Sequence, residues 1–154
     1  MARQKITPCL WFDGKAEEAA RFYVSLFPDS QVTGMTPGPT GAALVLQFRV
    51  AGLEFLALNG GPQFTFNEAI SLSIDCRSQA ELDDLWEKLS DGGSEGQCGW
   101  LKDRYGLSWQ LVPAVLPKLL TDPDRAKAGR VMDAMMGMKR LDIRALEAAA
   151  LGES

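Results

Sequence analysis

Histidine is absent from this chain of 154 residues, and no other absence excludes as much chemistry. Ser-His-Asp and Cys-His catalysis, histidine zinc sites and histidine proton transfer near neutral pH all require an imidazole. Any general acid or base must therefore be a carboxylate, lysine, tyrosine or cysteine whose pKa is shifted by its surroundings.

Cysteine is also scarce, since the chain has three and no Cys-x-x-Cys pair. An odd number of cysteines without a secretory signal indicates free thiols in a reducing compartment. No apolar run approaches the roughly 18–20 residues that a membrane span needs. We therefore expect a soluble, cytoplasmic protein.

An excess of positive charge is missing as well, because 16 Lys and Arg stand against 20 Asp and Glu. Nucleic acids and anionic membranes are recognised by basic surfaces, which this net charge of −4 does not provide. We expect a small-molecule ligand and protein partners, with no nucleic acid and no membrane.

What is present is an internal repeat, in which the order strand, helix, three strands occurs twice. Leu10, Phe12 and Asp13 of the first passage match Leu72, Ile74 and Asp75 of the second. The first passage predicts a strand at 5–12, a helix at 15–27, a loop from Gly34 to Gly41, and strands at 42–50 and 53–59. The second predicts strands at 69–76, 94–98, 100–104 and 107–112, with a helix at 79–90.

Beyond Pro113 the pattern is helical. We expect one helix near 114–120, a second that starts at Pro123 behind Asp122, and a third behind Asp142. The predicted organisation is a first βαβββ module at 3–67, a second at 68–113 and a helical tail at 114–150. Together they form one domain of the α+β class.

Two βαβββ modules resemble the vicinal oxygen chelate superfamily, which has the glyoxalase and bleomycin-resistance fold. The strings FDGKAEEAARFY, LNGGPQFTFNEAISLSID and CGWLKDRYGLSWQLVP are similar to its PhnB-like branch. That branch often carries the label 3-demethylubiquinone-9 3-methyltransferase. The resemblance covers about residues 5–145. It implies that each module forms half of an open barrel around a ligand cleft.

The resemblance also implies four positions for the ligands of a divalent metal. They correspond here to Thr7, to Phe55 or Leu56, to Ala69 and to Gln110. Only Gln110 could donate to a metal, and one amide cannot replace imidazoles and carboxylates. We therefore expect no metal and no cofactor.

The methyltransferase label does not suit the sequence. S-adenosylmethionine is typically held by a Gly-rich turn between a strand and a helix. The one candidate turn, at 59–62, precedes no predicted helix.

Strand alternation predicts the side chains that face the cleft. Cys9 and Trp11 alternate with Leu10 and Phe12, which we expect to pack under the helices. Several hydroxyl groups and an amide are predicted to face the cleft together with the Trp11 indole and the Cys9 thiol. Such a lining suits a neutral, partly aromatic or oxygenated ligand. The predicted ligand-binding residues are Cys9, Trp11, Asn59, Ser71, Ser73 and Gln110. The alternative is a cavity filled by its own side chains.

Several other features have structural interpretations. No basic neighbour in the sequence lowers the pKa of Cys9, so we expect a small buried apolar residue, with Cys98 more exposed. Asn59 and the glycines after it form either a cleft rim or a linker between modules. Residues 102–106 resemble a hairpin turn in which Asp103 caps its own backbone.

The functional prediction is a metal-independent small-molecule-binding protein of this superfamily. The alternative is an enzyme of the same superfamily that acts on a small oxygenated or aromatic metabolite, with Asp75, Glu54 and Tyr105 as the plausible acids or bases. Relatives with this architecture pair across a two-fold axis. Together with the Met-rich tail at 132–138, this predicts a homodimer.

Overall fold

The computed structural model describes residues 4–153, which form two compact units that divide between Phe66 and Asn67. The start of the predicted first module, residue 3, lies outside the described residues. No helix within 4–153 has the length and apolar character of a membrane span.

The first unit contains a four-stranded sheet in the order β1-β4-β3-β2, with one helix. Strand β1, at one edge of the sheet, pairs parallel with β4, and the other neighbouring strands pair antiparallel. Its elements are β1 (Cys9–Phe12), α1 (Ala16–Leu26), β2 (Gln31–Pro37), β3 (Ala43–Val50) and β4 (Leu53–Asn59).

The second unit repeats this topology in the order β5-β8-β7-β6, with β5 and β8 parallel. Its elements are β5 (Ser71–Cys76), α2 (Gln79–Ser90), β6 (Ser94–Glu95), β7 (Trp100–Lys102) and β8 (Ser108–Pro113). The tail helices α3 (Leu116–Leu120), α4 (Arg125–Met136) and α5 (Ile143–Ala150) belong to the same unit. The predicted fold class, two βαβββ modules followed by helices, is confirmed.

Each helix covers one face of its sheet with a stripe of apolar side chains. In α1 the buried residues recur at spacings of three and four, as an amphipathic helix requires: Ala16, Ala19, Ala20 and Tyr23. In α2 they are Leu82, Leu85, Trp86 and Leu89. We call the face of each sheet that points away from α1 or α2 its helix-free face.

Several predicted element boundaries are wrong. The strand predicted at 5–12 begins only at Cys9, and the strands predicted at 94–98 and 100–104 end at Glu95 and Lys102. The expected loop from Gly34 to Gly41 lies partly in β2, because the backbone of 31–37 pairs with β3 through two irregularities. Gly34 fits there because a Cβ would lie 2.6 Å from the side-chain oxygen of Gln47. Helix α4 begins at Arg125 behind Asp124, not at Pro123 behind Asp122, because the Asp124 carboxylate accepts from the amides of the first turn.

Candidate functional site

The helix-free face of the second sheet carries two rows of polar side chains. Residues directly opposite on neighbouring strands point to the same face. One row crosses all four strands in register: Ser94 on β6, Lys102 on β7, Ser108 on β8 and Ser71 on β5. The next row is Trp100, Gln110 and Ser73. We call these seven residues the polar face.

Gln110 and Ser71 are joined within the polar face. The Gln110 Nε2 amide donates to Ser71 Oγ at 2.9 Å. A half-buried amide needs a hydrogen-bond partner, and Ser71 supplies one for Gln110. It confirms that the side chains of Gln110 and Ser71 lie on the same side of the sheet.

Ser108 is the most deeply buried polar residue of this face. It is 1% exposed, and its hydroxyl has no hydrogen-bond partner among residues 4–153. A buried hydroxyl without a partner costs about 1–3 kcal/mol. The Ser108 hydroxyl therefore lowers the stability of the free protein.

Lys102 lies directly opposite Ser108 and forms an ion pair with Glu68, from the segment before β5. The Lys102 ammonium holds the pKa of the Glu68 carboxyl below its usual value, by hydrogen bonding and by charge. These residues line a groove of about 480 Å³, together with Ser94, Glu95, Gly96, Gln97, Trp100 and Leu101.

Glu95 contributes no carboxylate to the polar face. It pairs with Leu101 in register, so its side chain lies on the opposite, helix-covered side. There its Oε1 accepts from the Trp86 indole nitrogen at 2.6 Å.

The helix-free face of the first sheet carries Cys9 and Trp11. The parity predicted for β1 is confirmed, since Leu10 and Phe12 are buried while Cys9 is exposed and Trp11 is half-buried. Leu56 and Leu58 lie beside them on β4. The part of this face formed by β1 and the middle of β4 is therefore more apolar than the polar face of the second sheet.

Trp11 is held by the segment that follows β4. Its indole nitrogen donates to the Gly61 carbonyl at 2.9 Å, and the Phe64 ring contacts it edge-on at 4.9 Å. A Cβ on Gly60 would lie 2.4 Å from the indole, so only glycine allows this close approach. Gly60 and Gly61 thus position Trp11, which the sequence predicts to bind the ligand.

Asn59 lies on the helix-covered side of the first sheet, apart from Cys9 and Trp11, because it pairs in register with Phe12. Its Oδ1 accepts from the Ala16 amide at 2.9 Å, and its Nδ2 donates to the Ala43 carbonyl at 2.9 Å. Lys15, at the N-cap position of α1, supplies no side-chain cap. Asn59 therefore satisfies the start of α1 from a distant strand.

The comparisons with known proteins identify the family. The family model described as 3-demethylubiquinone-9 3-methyltransferase matches residues 4–112. The chain belongs to this family. No curated protein matches it in sequence.

Solved structures of similar proteins support the family and the fold. A PhnB protein from Bacillus cereus is 36% identical over 72% of this chain and all of its own, with a TM-score of 0.68. The Pseudomonas aeruginosa protein PA1353 is 21% identical, over 72% of this chain and 98% of its own, with a TM-score of 0.59. Fosfomycin resistance protein FosX from Mesorhizobium loti is 12% identical, over 72% and 91%, with a TM-score of 0.53. The last two show a shared fold only, and the predicted superfamily is confirmed.

The four positions implied for a metal in this superfamily do not fit a divalent ion in this chain. The register places Leu56 beside Cys9 on the helix-free face, whereas Phe55 is buried under the helix, so Leu56 occupies the ambiguous position. Gln110 already donates its amide to Ser71. Within residues 4–153 no group of three or more Cys, Asp or Glu side chains is placed to hold a metal.

The cysteines differ from the expectation. Cys9 is exposed and Cys98 is half-buried, the reverse of the predicted order, because β1 turns Cys9 to the helix-free face. Partial desolvation nevertheless raises the pKa of the Cys9 thiol. Cys76, on the helix side of β5, is fully buried.

The carboxylates proposed as acids or bases are paired with arginines. Glu54 lies 3.6 Å from Arg49, and the exposed Asp75 lies 3.9 Å from Arg77. Tyr105 lies in the turn that Asp103 organises, where its backbone amide donates to the Asp103 carboxylate. The predicted self-capping of this turn is confirmed.

Sequence reasoning missed Lys102, Ser94, Trp100 and Glu68 as members or neighbours of the site. The signal was available in Trp100-Leu101-Lys102, because a buried Leu101 between two outward residues has the period of a half-covered strand. Lys102 fell both in the predicted strand at 100–104 and in the predicted turn at 102–106, and its interpretation as a turn residue hid the one cation of the groove lining described here.

Proposed function

We propose that the protein binds a small organic molecule on the polar face of the second sheet and does so without a resident metal. Ser71, Ser73 and Gln110 are the predicted ligand-binding residues on that face. Cys9 and Trp11 occupy the corresponding positions on the first sheet. Asn59, the sixth predicted ligand-binding residue, is left out of the proposed site because it lies on the helix-covered side and bonds the start of α1.

The Gln110–Ser71 hydrogen bond carries this proposal. In the superfamily the last strand of a module supplies a metal ligand at this position. Here the side chain is an amide whose Nε2 donates to a serine hydroxyl and whose Oε1 is the single oxygen it could offer. A row of hydroxyl and amide groups suits hydrogen bonding to ligand oxygens, whereas a metal would need anionic or imidazole ligands.

Methyl transfer, the activity in the family's description, has little support in this chain. Residues 60–70, after β4, contain no helix before β5 begins, so the Asn59-Gly60-Gly61-Pro62 turn offers no helix N-terminus to a large methyl donor. We infer that the family name does not describe the chemistry of this protein.

A homodimer is part of the proposal. Met132 and Met136 are 42% and 61% exposed on α4, and Leu151 is exposed after α5. Adaptable methionine side chains are common at interfaces between proteins. A second copy of the chain would cover this apolar surface.

A thermal-shift screen against small metabolites tests the binding function. A ligand raises the unfolding midpoint according to its concentration relative to its dissociation constant, whether or not it reacts. Replacing Gln110 with Leu should weaken binding of any hit by about two- to tenfold, since one hydrogen bond contributes about 0.5–1.5 kcal/mol. Gln63→Leu, in an exposed loop, is the control. Hits that bind both variants equally would contradict the assignment of the site.

A further inference from the structure

The row Ser94, Lys102, Ser108 and Ser71 places a lysine between two serines. Lys102 lies directly opposite Ser94 on one side and Ser108 on the other. Opposite residues in a sheet have their Cβ atoms about 4.5–5.5 Å apart. A ligand that draws the flexible Lys102 side chain away from Glu68 can therefore meet the ammonium beside a serine.

The Ser108 hydroxyl in this row lacks a hydrogen-bond partner among the described residues. Ser108 lines the groove, and its buried hydroxyl has no hydrogen bond in the part of the chain that the structure describes. Buried polar groups are almost always paired, and the exceptions call for a ligand, ion or functional explanation. Rotation of the serine side chain to another staggered conformation would bring this hydroxyl to a ligand oxygen in the groove.

The charge of the groove depends on Glu68. The charged residues of the groove lining are Lys102, Glu68 and Glu95, and Glu95 accepts from Trp86 on the other side of the sheet, so Glu68 is the carboxylate that meets Lys102. Glu68 is 61% exposed on the segment before β5, and Lys102 is 41% exposed. Exposed ion pairs of this kind are weak and exchange readily.

We propose that the groove binds a small organic carboxylate, which replaces Glu68 on Lys102 and accepts a hydrogen bond from Ser108. The organic part of the ligand then lies along the second row, over Trp100 and Gln110. This inference rests on the proposed function and names its ligand class. Glu68 acts as an internal competitor that occupies the carboxylate position when the ligand is absent.

A carboxylate fits better than the neutral ligand expected from the sequence, because Lys102 belongs to the face and not to a turn. A protonated amine on the ligand would be repelled by the Lys102 ammonium in the same row. A neutral ligand would leave the Lys102–Glu68 pair in place and lose the strongest donor of the groove.

The test is a pair of titrations of the full-length, ¹⁵N-labelled protein with benzoate and with benzamide, which have the same shape and differ in charge. Benzoate should shift the amide resonances of Ser94, Lys102 and Ser108, and it should bind more tightly than benzamide. Removing the competitor with Glu68→Gln should tighten benzoate binding about two- to fivefold.

Two further variants separate a ligand contact from a structural role. Lys102→Met should weaken benzoate binding about tenfold or more, whereas Lys88→Met, at an exposed lysine on α2, should leave it unchanged. Ser108→Ala should weaken binding about two- to tenfold without lowering the thermal midpoint, because the hydroxyl has no partner to lose in the free protein.

Equal affinity for benzoate and benzamide, or no tightening in Glu68→Gln, would overturn the carboxylate proposal. If benzamide or another neutral compound still shifted the same resonances, the proposed binding function would stand. If no compound from the metabolite screen shifted them, both proposals would fail.

Discussion

At the scale of single residues, the alternation of neighbouring side chains along a strand determines which face of the sheet each residue occupies. Alternation along β1 was enough to predict that Leu10 and Phe12 are buried and that Trp11 is not. It could not predict Asn59, since the partner of its side chain is the Ala16 amide, which is 43 residues away in the chain. Local patterns show which face a residue occupies, whereas a tertiary hydrogen bond depends on where the chain returns.

The buried Cys76 thiol should make stability fall in alkaline solution. Burial, reinforced by the charges of Glu81 and Asp75, raises its pKa from 9.0 to about 12. Above pH 9 the unfolded chain loses the thiol proton while the folded chain keeps it, so the free energy of unfolding decreases as pH rises toward 12.

Denaturant unfolding at several pH values between about 8 and 11 measures this effect. Cys76→Ala should show a smaller decrease in unfolding free energy over that range than the wild type, and the half-buried Cys98→Ala should behave as the wild type. Parallel curves for Cys76→Ala and the wild type would show that the thiol does not titrate as described.

At the scale of elements, helices were easier to predict than short strands. The spacing of Leu82, Leu85 and Trp86 placed α2 at its observed bounds, and Ser78 caps it through the Glu81 amide at 3.1 Å. Strand β2 was missed at Gly34 and Pro37, because its pairing with β3 overrides the local preference of those residues for turns. Lys102 was lost from the predicted site for a similar reason, since the end of β7 resembled the turn that follows.

The hairpin between β7 and β8 should depend on Asp103, a carboxylate that is 2% exposed. It accepts from the amides of Tyr105 and Leu107 and from the Trp109 indole at 2.9 Å. Asp103→Ala leaves these donors without that acceptor and should lower the free energy of unfolding by about 3 kcal/mol.

Chemical denaturation of Asp103→Ala, with the exposed Asp133→Ala on α4 as the control, checks the role of the hairpin. The alanine at 133 should change stability by less than about 0.5 kcal/mol. Equal losses for the two variants would mean that the buried carboxylate does not hold the hairpin together.

For the whole molecule, the duplicated topology was predictable because the same order of strand-like and helix-like spacings of apolar residues occurs twice along the chain. The oligomeric state depends on surfaces that meet only in an assembly, and it stays a prediction. The proposed dimer should bury more than roughly 1,000 Å², as specific interfaces do, and should include the exposed methionines of α4.

Sedimentation at micromolar concentration should therefore give the mass of two chains. Replacing Met132 and Met136 with Glu should shift the protein toward monomer, while its far-ultraviolet circular dichroism stays unchanged. A wild-type protein that sediments as a monomer would contradict the proposed dimer.

The central claim is that the site works without a resident metal, and elemental analysis tests it most directly. The protein is purified without added metal or chelator, dialysed, and analysed for zinc, nickel, manganese and iron. Because Thr7, Leu56 and Ala69 stand at three of the four implied positions and Gln110 offers one neutral amide oxygen, we expect no stoichiometric metal. About one equivalent of any of these metals after dialysis, reduced by Gln110→Leu, would contradict the account and assign this face to a metalloenzyme.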